Sequence, residues 1–180
     1  MKKILATVST VAIMGAAVVG GNAAFAAEST ITGGTLSMEQ PTIGNFNAVT
    51  LNGLVQSTTA TVGSFKIVDP SGTGDGWNVV MKATPLQHAT LVDEVLPENS
   101  LTIGEPTLTA AEGADDVLTI AKKGGAIDNT NGVKVLSAAV NGGMGTYTVG
   151  ENTLTLDLQP KDVKAGKYSS TVTVTITTGP

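Results

Sequence analysis

The sequence predicts an all-β fold, an antiparallel β-sandwich (Ig-like or related) that forms a single domain after an N-terminal signal peptide. Three observations carry this expectation. From Glu28 onward, short Val/Thr/Leu/Ile runs recur, several with strict alternation of apolar and hydroxyl side chains. Clusters of Gly, Pro, Asn and Asp separate the runs at near-regular spacing. No stretch after the first 26 residues carries a helical period, so sheets packed on sheets are the architecture left.

The chain opens differently. Met1-Lys2-Lys3 is a basic start, Ile4–Gly21 is an apolar run, and Ala24-Phe25-Ala26 gives the small-x-small pattern of a signal peptidase site. Residues 1–26 therefore read as a secretory signal that is removed, leaving Ala27 as the new N-terminus. A cut one residue later and an uncleaved membrane anchor are the alternatives. Residues 27–34 read as a flexible leader and 35–180 as the folded domain. No later run is long and apolar enough for a helical span, so no membrane span is expected after cleavage.

Strands are expected at Thr35–Met38, Ala48–Val55, Ala60–Val68, Trp77–Thr84, Leu101–Ala110, Val117–Ala121, Val133–Leu136, Thr146–Val149, Thr153–Leu158 and Tyr168–Thr177. The turns between them include Asn52-Gly53, Asp69-Pro70, Asn131-Gly132 and Asn141-Gly142-Gly143. Leu154, Leu156 and Leu158 alternate with Thr153, Thr155 and Asp157. Val172, Val174 and Ile176 alternate with Thr171, Thr173, Thr175 and Thr177. Each of these strands has one apolar face and one polar face, as expected where one side packs and the other meets solvent.

The only tryptophan, Trp77, follows the glycine-rich stretch Gly72-Thr73-Gly74-Asp75-Gly76. Trp77, Val79, Met81 and Ala83 share one face of the strand that starts there. An indole in that place is either a core plug or a contact residue.

Charge and residue types exclude several functions. The whole chain has 10 basic and 15 acidic residues; losing Lys2 and Lys3 leaves 8 − 15 = −7. Every basic residue is lysine, which argues against nucleic acid as a partner. Cysteine is absent, excluding disulfides, thiolate metal sites and cysteine nucleophiles. His88 is the only histidine and reads as a loop or surface residue, so no Ser-His-Asp arrangement is convincing. Asp115-Asp116 and Asp93-Glu94 read as solubilising loop charges. Asp69, Ser71, Thr73 and Asp75 alternate as in a calcium loop. Val80, however, stands where the bidentate glutamate belongs, which favours a structural turn. Lys122-Lys123-Gly124-Gly125 lacks P-loop spacing, and Leu96-Pro97-Glu98-Asn99-Ser100 lacks the Thr-Gly pair of a sorting signal. No enzyme activity, cofactor or metal is expected.

Two stretches together resemble a family of Gram-positive surface proteins named for their WxL motifs. Gly72-Thr73-Gly74-Asp75-Gly76-Trp77-Asn78-Val79 is similar to the first motif, with Val79 in the leucine place. Tyr168 through Thr173, Val174, Ile176 and Pro180 is similar in spacing to the C-terminal motif, with Val174 where the second tryptophan would stand. The resemblance implies a small secreted all-β protein that attaches noncovalently to the cell wall, with peptidoglycan as its ligand. It also implies assembly with larger WxL proteins and membrane-anchored surface partners. Motif roles carry over to Trp77, Asn78, Val79, Tyr168, Thr173, Val174, Ile176 and Pro180. With Val174 in place of tryptophan, these residues are left as either a sugar-binding surface or a packing device. A rival function for such a chain is a structural subunit that assembles by pairing strand edges.

Overall fold

The computed structural model describes residues 28–180; the expected signal peptide, residues 1–26, lies outside the described residues. Thr32–Pro180 forms one compact unit. Glu28–Ile31 are exposed and belong to no regular element. In chain order the strands are β1 (Ser37–Met38), β2 (Gln56–Val62), β3 (Phe65–Asp69), β4 (Trp77–Ala83), β5 (Gln87–His88), β6 (Leu101–Ile103) and β7 (Leu108–Ala110). There follow β8 (Ile120–Lys122), β9 (Gly125–Ala126), β10 (Val133–Ala138), β11 (Gly145–Val149), β12 (Asn152–Leu158), β13 (Tyr168–Ser169) and β14 (Val172–Thr178). A single 3-10 turn, Val117–Thr119, is the only helical element among the described residues, so the all-β expectation holds.

All strand pairs are antiparallel, in sheets ordered β1-β3-β11-β7, β2-β12-β6-β9, β14-β4-β10-β8 and β13-β5. The first two sheets are halves of one bent ribbon. β2 pairs with β12 and β3 with β11, while the short links Gly63-Ser64 and Gly150-Glu151 face each other between them. β6 and β7 follow the same corner across residues 104–107, pairing with β12 and then β11. Inward-facing residues run 58, 60, 62 and then 65, 67, 69 on one strand, and 147, 149 and then 154, 156, 158 on its neighbour. The side-chain period of a strand is two, so an odd offset at the corner keeps apolar residues inward on both halves.

The third sheet covers the concave side. On β4, Trp77, Val79, Met81 and Ala83 are buried, as their alternation predicts. On β14, Val174 is buried and Val172 and Ile176 are partly buried, while Thr173, Thr175 and Thr177 are exposed. Side chains from every sheet join a single core, giving a sandwich-like arrangement.

Several expected boundaries move. Ala48–Val55 is a loop; its turn at Asn52-Gly53 is real, but no strand lies beside it, and Asn52 and Gln56 hydrogen-bond within the loop instead. The expected strands Ala60–Val68 and Leu101–Ala110 each break at the corner. Tyr168–Thr177 divides into β13 and β14, which pair with different partners. Val117–Thr119 turns rather than extends, capped by the Asp116 carboxylate accepting from the Leu118 N–H. The two-residue strands β5 and β9 have no periodicity to reveal them.

Gly76 is the tightest joint between the loop and the third sheet. Its φ is +72°, and a Cβ there would lie 2.5 Å from the Ala138 carbonyl oxygen. Gly53 has a φ of +80° but opens onto empty space. Gly76→Ala is expected to lower unfolding free energy by about 2–4 kcal/mol, combining left-handed strain with a backbone clash. Gly53→Ala should cost only about 1–2 kcal/mol. Denaturant unfolding of the two variants checks the difference, and equal losses would contradict it.

Candidate functional site

The two motif segments lie side by side. β4 and β14 pair without a break over seven positions, placing Ile176 opposite Val79, Val174 opposite Met81, Thr173 opposite Lys82 and Thr178 opposite Trp77. Val174 therefore points inward beside Met81 and is 8% exposed. Thr173 faces solvent. Asn78 donates from Nδ2 to the Gly179 carbonyl at 2.7 Å, and the Gly179 N–H donates to the Gly76 carbonyl at 2.9 Å. These two bonds tie the last residues to the entry of β4, leaving Pro180 exposed.

Trp77 is 0% exposed. Its indole Nε1–H donates to the Gly143 carbonyl at 2.8 Å, which satisfies the one polar atom the ring carries inward. Its ring centroid lies 6.0 Å from that of Tyr147, at a 58° tilt. Gly143 closes over the indole: a Cβ there would lie 2.6 Å from Nε1. Tyr147 is equally buried, and its hydroxyl donates toward the carbonyls of Asp115 and Met144, at 3.1 and 3.0 Å. Asp115 Oδ2 accepts from the Met144 N–H, and the Asp115 N–H donates back to the Met144 carbonyl. Asp115 thus ties two loops together, where its pairing with Asp116 in the sequence suggested only solvation.

Three side-chain oxygens of the glycine-rich loop before Trp77 accept from its own backbone. Asp69 Oδ1 accepts from the Ser71 N–H, Ser71 Oγ from the Thr73 N–H, and Thr73 Oγ1 from the Asp75 N–H. This ladder of side-chain turns fixes the path of the loop toward Trp77.

Tyr168 stands at the far end. β13 pairs it with His88, beyond the end of β4, so a seven-residue strand of roughly 20 Å lies between it and Trp77. The two aromatic motif residues do not share a surface. His88 corrects the reading of a loop or surface residue, for it is buried. Its Nδ1 accepts from the N–H groups of Thr90 and Leu91, and its Nε2 lies 3.2 Å from the Ala165 carbonyl. The ring meets Tyr168 edge-on at 4.9 Å. A lone histidine among turn residues gives no sign of this, because the groups that cover it, the Ala165 carbonyl and the Tyr168 ring, lie more than 70 residues later.

Beside Tyr168 runs an open trough of two lobes, of about 720 and 660 Å³. Phe46 and Tyr168 line both lobes, Leu86 lies along both, and Lys167 stands at the rim. Tyr168 is the only one of the carried-over motif residues on this trough. Phe46 and Lys167 lie outside both motifs, and nothing in the sequence around them marks a site.

Replacing Trp77 with alanine is expected to cost about 3–5 kcal/mol of stability, as for other buried aromatic truncations. Trp77→Phe, which keeps a ring but leaves the Gly143 carbonyl without its donor, should cost about 1–3 kcal/mol. Urea unfolding measures both, and an unchanged midpoint for Trp77→Ala would refute the packing role.

Burial, reinforced by the Asp115 carboxylate, pushes the Tyr147 hydroxyl up from 10.0 to about 12. A raised folded-state value means that Tyr147 contributes fully below pH 10 and loses its contribution as pH climbs toward 12. The stability difference between wild type and Tyr147→Phe should therefore stay flat to about pH 9 and shrink above pH 10. A difference that is constant to pH 12 would count against it.

Among the described residues, no helix is long and apolar enough to cross a membrane. No curated protein and no solved structure matches the chain. A family model described as "WxL domain surface cell wall-binding" matches residues 27–180, which include both motif segments, the buried Trp77 and the trough. The chain belongs to the WxL family, whose domain is a cell wall-binding surface domain.

Proposed function

We propose that the chain is exported by the signal at residues 1–26 and holds noncovalently to peptidoglycan through the domain at 35–180, joining other WxL-type and membrane-anchored proteins at the cell surface. The observation that carries this reading is the family match over residues 27–180, the whole of the expected mature chain. Chemistry supports it. Thr- and Asn-rich surfaces offer hydrogen bonds to sugars and amides, and the trough adds aromatic faces for apolar sugar faces. At a net charge of −7 the mature chain gains nothing from long-range attraction to an anionic wall, so adhesion is local.

β14 favours a second reading, assembly by strand-edge pairing. It is a seven-residue edge with no proline, charge or bulge, and its outward side chains are threonines. The other end strands are shorter or, like β2, shielded by the segment around Ile43–Asn47.

Incubating residues 27–180 with purified peptidoglycan, followed by pelleting and by size measurement of the protein alone, separates the two. The leading reading expects a monomer that co-sediments with the wall. A chain that polymerises with concentration and leaves the wall unbound would replace it with the second reading.

A further inference from the structure

We propose that the trough between Phe46 and Tyr168 is the wall-binding site, and that its ligand is an amino-sugar unit of peptidoglycan carrying a carboxylate-bearing peptide. This rests on the wall-binding reading and adds a place and a ligand chemistry to it. In a mature chain at −7, three of the eight lysines fall within seven residues, at Lys161, Lys164 and Lys167. Lys164 is paired with Glu94, and Lys161 lies 3.8 Å from Asp162. Lys167 has no ion-pair partner among the described residues and stands at the rim of both lobes. A free ammonium on an acidic protein, at the mouth of a concave site, selects a local anion.

The hydrogen-bonding inventory points the same way. The Tyr168 hydroxyl accepts from the Lys164 N–H, which leaves its own hydrogen to donate. Asn45 and Ser169 line the same lobe, and no hydrogen bond engages either side chain among the described residues. Lys167 and Tyr168 together offer donors, so the ligand there must be rich in acceptors. The rings of Phe46 and Tyr168 supply apolar surface for a sugar face, and both are held by packing against the core. An acidic amino sugar with its peptide meets each demand; a neutral glucan lacks the anion, and a polyol phosphate lacks the flat apolar face.

The test uses the mature chain and three soluble probes in calorimetric titration: a disaccharide-tetrapeptide released from peptidoglycan, a neutral N-acetylglucosamine tetramer, and a glycerol-phosphate oligomer. The disaccharide-tetrapeptide should bind most tightly. Lys167→Glu, at an exposed position, should weaken it about tenfold or more and leave the neutral tetramer unaffected. Phe46→Ala should weaken both sugars; because it also touches the core, Asn45→Ala serves as the second trough variant. Equal binding of the charged and neutral sugars, tighter binding of the glycerol phosphate, or a Lys167→Glu protein that binds as wild type would each overturn the assignment. Whole-wall pelleting tells the two levels apart. Wild type and trough variants that pellet equally remove this site and leave wall binding standing. A wild-type chain that does not pellet removes both.

Discussion

Burial of one indole at the start of β4 is the constraint from which the rest of the domain follows. Trp77 is too large to be accommodated by a single sheet, so two loops must close over it and a second aromatic must meet it. The loop before it turns through three glycines with positive φ, at Gly72, Gly74 and Gly76, and the loop above it brings a bare Gly143 backbone to the indole nitrogen. Tyr147 extends the seal to Asp115, whose carboxylate and amide lock onto Met144. With this end fixed, β4 runs between β14 and β10, in unbroken register with β14 and with a bulge between Lys134 and Leu136 in its pairing with β10. The chain terminus is then drawn back to Gly76 by its own amide.

The bent ribbon solves the complementary problem. A domain with no cysteine and, past the expected signal, only two phenylalanines must surround its core efficiently. One ribbon that turns a corner at Gly63, Gly104 and Gly150 presents two walls from a single set of pairings. The third sheet then closes the remaining side. Between the Ile43–Phe46 segment and the Lys167–Ser170 stretch the trough remains open.

Most of the motif residues and the lining of the trough are therefore separate sets of side chains. Trp77, Val79, Val174 and Ile176 face the core side of two neighbouring strands, so their spacing in the sequence records packing. With valine in the second tryptophan's place, Val174 adds little volume beside Met81 while leaving the register intact. Tyr168 alone among them reaches both the interior, through His88, and the trough.

Local periodicity is legible in the linear chain. The alternation in Trp77–Ala83, Leu154–Leu158 and Val172–Ile176 named both the strands and their buried faces, because a period of two is a property of the chain alone. The two motif segments likewise identified the family, since their spacing survives without coordinates. Tertiary structure decided the rest. The corner splits Ala60–Val68 and Leu101–Ala110, because a break in pairing depends on which partner lies alongside. Ala48–Val55 stays a loop despite its apolar residues because no neighbour comes to pair with it. His88 is buried and Asp115 is held in place for the same reason, since the Ala165 carbonyl and Tyr168 ring that cover the one, and the Met144 backbone that binds the other, arrive from other parts of the chain. The trough unites Asn45 with Lys167, residues 122 positions apart, and only the folded chain brings them together.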